Sequence, residues 1–198
     1  MNSLIAFDVW AFRAINNLAG LSVSWDAVFI FGAKYLIFLM PLVVVAYVFA
    51  AWRTSHFEGR VENFWHVGWT VVIAFIIEKV IGYLWFRARP FRTFHDVHKL
   101  IAMSPLDKSF PSGHASIAFA MAFGLMLHNR KWGWLMVALA AWVAFSRVWV
   151  GVHYPLDVIG GLAVGALSAW ITAPAKKAIE PYLDLFKFFR RYRRNPSA

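Results

Sequence analysis

A chain of 198 residues that is 61% hydrophobic and 15% charged, with a net charge of +10, is too apolar for a soluble domain of its size. Several of its runs approach the ~20 apolar residues that cross a bilayer, so it reads as one integral membrane domain. With no cysteine, disulfides and thiolate metal sites are excluded; the basic residues form no pattern of a folded basic face, and nucleic acid is not expected as a partner.

Segment 3–20 places Phe7, Trp10, Ala14 and Leu18 at helical spacing, with Asp8, Arg13, Asn16 and Asn17 off that stripe. The pattern predicts a helix lying in the membrane interface, a sixth span being the alternative. Charged residues inside this segment and the lack of a small-residue cleavage site argue against a removable signal peptide. Five spans are expected after it, at about 26–51, 65–86, 113–128, 133–150 and 157–173. Trp25 and Trp52, Trp65 and Trp85, and Trp132 and Trp149 stand near span ends, where amphipathic rings meet headgroups. The expected fold class is therefore all-α, a polytopic transmembrane helix bundle. Residues 1–175 form the membrane-embedded domain and 176–198 a basic tail.

Seven Lys/Arg fall after residue 175. They place the C-terminus in the cytoplasm, with the 52–64 loop (Arg53, Arg60) and the 129–132 turn (Arg130, Lys131) on the same side. A multi-pass protein of the inner (cytoplasmic) membrane follows, with the 87–112 loop outside. Arg87, Arg89, Arg92, Lys99, Lys108 and Arg147 then lie on the face that should be poor in cations, and need another explanation. The 87–112 loop is the longest connection between spans and the most polar, as functional loops often are. Gly161 and Gly165 have the spacing of close helix packing. Glu78 and Lys79 lie within a span, where a structural polar contact is favoured over a catalytic part.

Three stretches carry chemistry: "RARPF" at 87–91, "SFPSGHAS" at 109–116 and "SRVWVGVHYPLD" at 146–157. On the expected topology they meet one leaflet. Arg89 and Arg147 offer planar forks that suit phosphate oxygens. Ser112 stands as a helix cap, and Gly113 leaves the N–H groups of the helix start open to an anion. His114 falls in the first turn. His153 and Asp157 are four apart, so the carboxylate can hold one imidazole nitrogen and leave the other free to attack. No carboxylate cluster accompanies the histidines, and arginines are poor company for a cation, so no metal and no cofactor is expected.

The chain resembles the type-2 phosphatidic acid phosphatase superfamily of membrane lipid phosphatases. That family's signature is K-x6-R-P, then P-S-G-H, then S-R-x5-H-x3-D. The second part stands complete at Pro111, Ser112, Gly113 and His114, and the third at Ser146, Arg147, His153 and Asp157. In the first, Arg89-Pro90 is present, but Gly82 occupies the lysine position; Lys79 and Arg87 are the candidate replacements. The run from "RARPF" through "SFPSGHA" looks most like the bacterial undecaprenyl pyrophosphate phosphatase branch.

The resemblance implies a metal-independent mechanism. His153 would attack phosphorus to form a phosphohistidine, with Asp157 orienting it. His114 would protonate the leaving oxygen and then activate water. Arg89, Arg147, Ser112 and the Gly113 N–H would hold the phosphoryl oxygens, with Ser146 assisting. The substrate expected is a lipid phosphate or pyrophosphate at the outer face, undecaprenyl pyrophosphate first. Phosphatidylglycerophosphate or a lipid A phosphate are alternatives within the class, and a non-catalytic lipid-phosphate binder is the alternative outside it.

Overall fold

The computed structural model describes residues 3–52, 54, 56–104 and 107–194, with the backbone alone for 175–194. Among these residues the helices are α1 (Ser3–Asn16), α2 (Val23–Lys34), α3 (Leu36–Phe49), α4 (Phe57–Leu84), α5 (Pro90–Thr93), α6 (Gly113–Met126), α7 (Arg130–Trp149) and α8 (Pro155–Arg194). They build the all-α membrane bundle that the sequence predicts. α4, α7 and the Pro155–Pro174 part of α8 are each long and apolar enough to span a bilayer, and α2 with α3 makes a fourth candidate. On α4 the side chains of Trp65, Trp69, Phe75, Ile76 and Val80 are exposed, an outer face that only lipid would solvate well.

Of the five spans expected, the one at α6 is short. This helix has 14 residues, about 21 Å at 1.5 Å per residue, against a hydrocarbon core of ~30 Å. It is also the hub of the fold, packed against α4, α7 and α8. Its Ala115, Ala118, Ala120, Ala122 and Gly124 are all buried, so small residues let three neighbours close around it. A helix sheathed by protein has no need to match the lipid thickness. The two glycines of α8 serve this closeness: a Cβ on Gly161 would lie 2.9 Å from the Ser112 carbonyl oxygen, and one on Gly165 2.7 Å from the Ala120 nitrogen.

The apolar run 26–51 is continuous in sequence but broken in space. α2 and α3 meet at a 63° bend around Tyr35. The Ala33 carbonyl, next to the end of α2, accepts a hydrogen bond from Arg147 Nη1 at 2.9 Å. Pro41 inside α3 removes a ladder donor. Hydropathy cannot register such a bend, because apolar residues continue on both sides of it.

The tryptophans divide. Trp25, Trp52, Trp65 and Trp85 are exposed, as expected of a headgroup belt. Trp149 is buried instead, its ring 4.3 Å from that of Phe29 and its Nε1 donating to Asp26 Oδ1 at 2.9 Å. Trp132 packs edge-on against Tyr47. Both stand on faces of α7 that meet α2 and α3, so packing claims them before lipid can.

α1 is amphipathic in the inverse sense to a soluble helix. Leu4, Phe7 and Trp10 point outward, while Asp8 and Asn16 are buried against the bundle. Asn16 donates to the carbonyls of His98 and Trp149 and accepts from the His98 N–H. Arg13 bridges to Asp96 at 2.5 Å. The 87–112 loop is thus pinned to α1. The basic tail expected from residue 176 onward lies outside the residues whose side chains are described; the α8 backbone passes residue 175 without a break.

Candidate active site

A cavity of about 450 Å³ opens where the end of α4, the start of α6, the α7–α8 turn and the 87–112 loop converge. Arg89, Gly113, His114, Arg147 and His153 line it, so residues of all three motifs meet there. α6 aims its first turn into this space, and its free N–H groups and dipole favour a negative charge.

His153 is buried in the α7–α8 turn. Its Nε2 lies 3.2 Å from Arg89 Nη1. A guanidinium can only donate, so Nε2 must be the bare nitrogen and Nδ1 must carry the proton. That proton faces Asp157 Oδ2 at 3.6 Å, just beyond hydrogen-bond reach. Burial, opposed by Asp157 and reinforced by Arg147 and Arg89, pushes the imidazole pKa down to about 4. His153 is therefore neutral at pH 7, with its bare nitrogen turned toward a cation that would also attract a phosphate.

Asp157 is held on every side. Its Oδ2 accepts from Ser109 Oγ at 2.5 Å and from the Tyr154 N–H at 2.8 Å, and its Oδ1 accepts from Arg87 Nη1 at 2.8 Å. Its own carbonyl accepts from the Ser112 N–H at 2.9 Å, which ties the start of α6 to the first turn of α8. Such a carboxylate cannot rotate away from the histidine it faces.

The two arginines are fixed by carbonyls. Arg89 donates from Nε to Asp107 O and from Nη1 to Val152 O. Arg147 is buried and is held through Nη1 by Ala33 O; its Nε and Nη2 have no hydrogen-bond partner among the described residues. Buried guanidinium donors without partners are costly unless a ligand completes them. Ser112 Oγ is likewise buried without a partner among the described residues. Ser146 is turned elsewhere: its Oγ bonds the Trp142 carbonyl at 2.7 Å, and it does not line the cavity.

The two replacements proposed for the first-motif lysine fare differently. Lys79 lines the cavity, but its ammonium pairs with Glu78 at 3.1 Å. Arg87 is spent on two carboxylates, Asp157 and Asp8, and its guanidinium lies over the Tyr154 ring; it does not line the cavity. Three charged lining residues, Glu78, Asp107 and Lys108, were not singled out as site residues from the sequence. Glu78 is buried, and its place inside an apolar span was the available signal. Asp107 and Lys108 are the others, in the loop just before Ser112. Asp8 was also missed: it takes the Arg87 guanidinium and accepts the Leu156 N–H, so it braces the layer behind Asp157. A carboxylate within the apolar stretch of α1 was the hint.

Comparison with known proteins bears on the family and the fold. Residues 63–179 match the PAP2 superfamily model. The chain is 37% identical over 189 residues to the bacitracin transport permease protein BcrC of Bacillus licheniformis, covering 93% of this chain and 90% of that protein. It is 32% identical to undecaprenyl-diphosphatase BcrC of Bacillus subtilis, covering 88% and 86% of the two chains. In fold it resembles the crystal structure of Aquifex aeolicus LpxE, with a TM-score of 0.64 and 24% identity over 83% of this chain and 93% of that one. A cavity assembled from two complete motifs, on a membrane bundle of this shape and with relatives of this extent, has one consistent reading: the chain belongs to the PAP2 superfamily, as one of its membrane phosphatases.

Proposed function

We propose that this phosphatase hydrolyses undecaprenyl pyrophosphate to undecaprenyl phosphate at the outer face of the cytoplasmic membrane, through a phosphohistidine. The observation that carries the reading is the pairing of a bare His153 Nε2 with unmatched, buried Arg147 donors in one cavity. The printed name of the Bacillus subtilis relative, an undecaprenyl-diphosphatase, supports the choice of lipid.

Each group has a role that its surroundings suit. The terminal phosphoryl group settles between Arg89, Arg147 and the N–H groups at the start of α6, and Arg89 exchanges its contact with Nε2 for one with a phosphate oxygen. Nε2 then attacks phosphorus while the bond to the bridging oxygen breaks, and His114 supplies a proton to the departing lipid phosphate. Positive charge left on the His153 ring is balanced by Asp157. In the second step water attacks, the P–N bond breaks, and His114 takes the water's proton. The apolar outer faces of the helices let the lipid tail stay in the bilayer while its headgroup reacts.

Phosphate release by the purified protein in detergent with excess EDTA tests this. Undecaprenyl pyrophosphate and phosphatidylglycerophosphate are run side by side, with His153→Ala as control. The expected result is release from the pyrophosphate that survives EDTA and disappears in the variant, together with an acid-labile, alkali-stable phosphoprotein on rapid quenching. Faster release from phosphatidylglycerophosphate moves the substrate to that lipid. Binding of both lipids without release from either overturns catalysis in favour of a lipid-phosphate binder.

A further inference from the structure

Four cations line the cavity: Lys79, Arg89, Lys108 and Arg147. They are not equivalent. Arg89 and Arg147 are fastened by backbone carbonyls and frame His153. Lys79 already has its charge matched by Glu78. Lys108 donates to a neutral group, the Lys79 carbonyl, at 3.1 Å, and forms no ion pair among the described residues. Its charge is therefore the one still seeking a counter-anion beside the two arginines.

The path of the Lys108 side chain depends on Gly82. A Cβ at position 82 would fall on Lys108 Cδ, Cε and Nζ, so the space a side chain of α4 would occupy is filled instead by a lysine from the 87–112 loop. Gly82 is buried in the last turns of α4, and the bared backbone there is what admits the ammonium. Its seat on a carbonyl near the C-terminal end of α4 suits a cation. The seat is weak enough to yield to a stronger acceptor, because a neutral carbonyl competes poorly with a phosphate dianion for an ammonium.

We infer that Lys108, admitted by Gly82, is a specificity-determining cation that holds the second phosphate of a lipid diphosphate, the one that leaves with the lipid. This rests on the function proposed above. The terminal phosphate is already served by Arg89, Arg147 and the start of α6; a diphosphate brings a second group of oxygens that those partners cannot also satisfy. A lipid monophosphate presents no such group, so the loss of Lys108 should weigh unequally on the two substrate classes.

The test compares Lys108→Ala, Gly82→Lys and the double variant Gly82→Lys/Lys108→Ala against the parent, on undecaprenyl pyrophosphate and on a lipid phosphate monoester. Lys108→Ala should lower kcat/KM for the diphosphate about ten- to a hundred-fold more than for the monoester. Gly82→Lys alone crowds two side chains into one slot and should be impaired. The double variant returns an ammonium to that slot from the α4 side and should recover most of the diphosphate preference. Equal losses on both substrates, or none on either, overturn the inference while leaving the hydrolase reading intact, as does a double variant no better than Lys108→Ala although monodisperse and as stable as the parent. A parent protein inactive on both substrates instead removes the function on which the inference rests.

Discussion

A histidine that attacks phosphorus must be neutral and must present the right nitrogen. In His153 both conditions follow from neighbours: Arg89 can only donate to Nε2, and burial among arginines drives the pKa to about 4. Because the shift is downward from 6.5, the ring is neutral throughout the range above about 4 and protonates only below it. In ¹⁵N NMR of histidine-labelled protein in micelles, the resonance pair that vanishes in His153→Ala should report a bare Nε2 and an Nδ1–H, without titrating between pH 7 and 5. A midpoint near 6.5 would mean that the ring is solvated and the cavity open. His114 makes a different demand. A pyrophosphate has the better leaving group and needs less acid help, so His114→Ala should cost less with undecaprenyl pyrophosphate than with a monoester, within the ~10²- to 10⁴-fold range of acid catalysis. Equal costs would remove the acid from that step. At this scale the sequence was legible where fixed spacings exist, as for His114, His153 and Asp157. Lys108 and Asp8 were not, because their roles arise from chain segments that meet only in space.

Helices carry the next set of constraints. α1 does not merely lie beside the bundle; its Asp8 closes a buried array with Arg87 and Asp157 and caps the Leu156 N–H. Replacing Asp8 with Ala strands a buried N–H and half of a guanidinium, which should destabilise the protein by about 1–3 kcal/mol. A double-mutant cycle with Arg87→Ala in a detergent-unfolding assay should show coupling above about 1 kcal/mol. Additive effects would reduce α1 to a greasy cover. The contact of α6 with α8 gives a contrasting test, since it is steric and not electrostatic. Gly165→Ala drives a Cβ into the Ala120 backbone and should cost about 1–3 kcal/mol. At Gly68, where nothing lies within 4 Å, the same change should be neutral or favourable by up to about 1 kcal/mol. The small-residue spacing of α8 made its packing visible in the sequence. The bend at Tyr35 and the shortness of α6 were invisible, because apolar composition measures solvent preference and not continuity of the backbone hydrogen-bond ladder.

At the scale of the whole molecule, the two ends of the bundle differ in kind. One end gathers the cavity with Arg89, Lys108 and Arg147; the other has Arg60, the 129–132 turn and a polar tie in which His66 bonds Thr172 O at 2.8 Å and His128 at 2.9 Å. Arg89, Lys108 and Arg147 line the cavity, where an anionic substrate accounts for them, and Arg87 is taken up by Asp8 and Asp157; the other basic residues then set the orientation. Most of these lie at the opposite end or in the tail after residue 175, so the cavity should face outward and the C-terminus inward. A chain without cysteine makes this directly measurable. Asp96 and Lys131 mark the two ends, each on an exposed surface. In intact cells an impermeant maleimide should label Asp96→Cys, while Lys131→Cys should react only after permeabilisation. The reverse pattern would put the cavity on the cytoplasmic side. The same chemistry would then act on lipid diphosphates facing the cytoplasm, and the basic tail would lie outside despite its charge. Labelling of Asp96→Cys from outside instead joins substrate, charge and topology in one arrangement: the arginines and Lys108 that break the positive-inside pattern do so because a phosphate is to be bound where they stand.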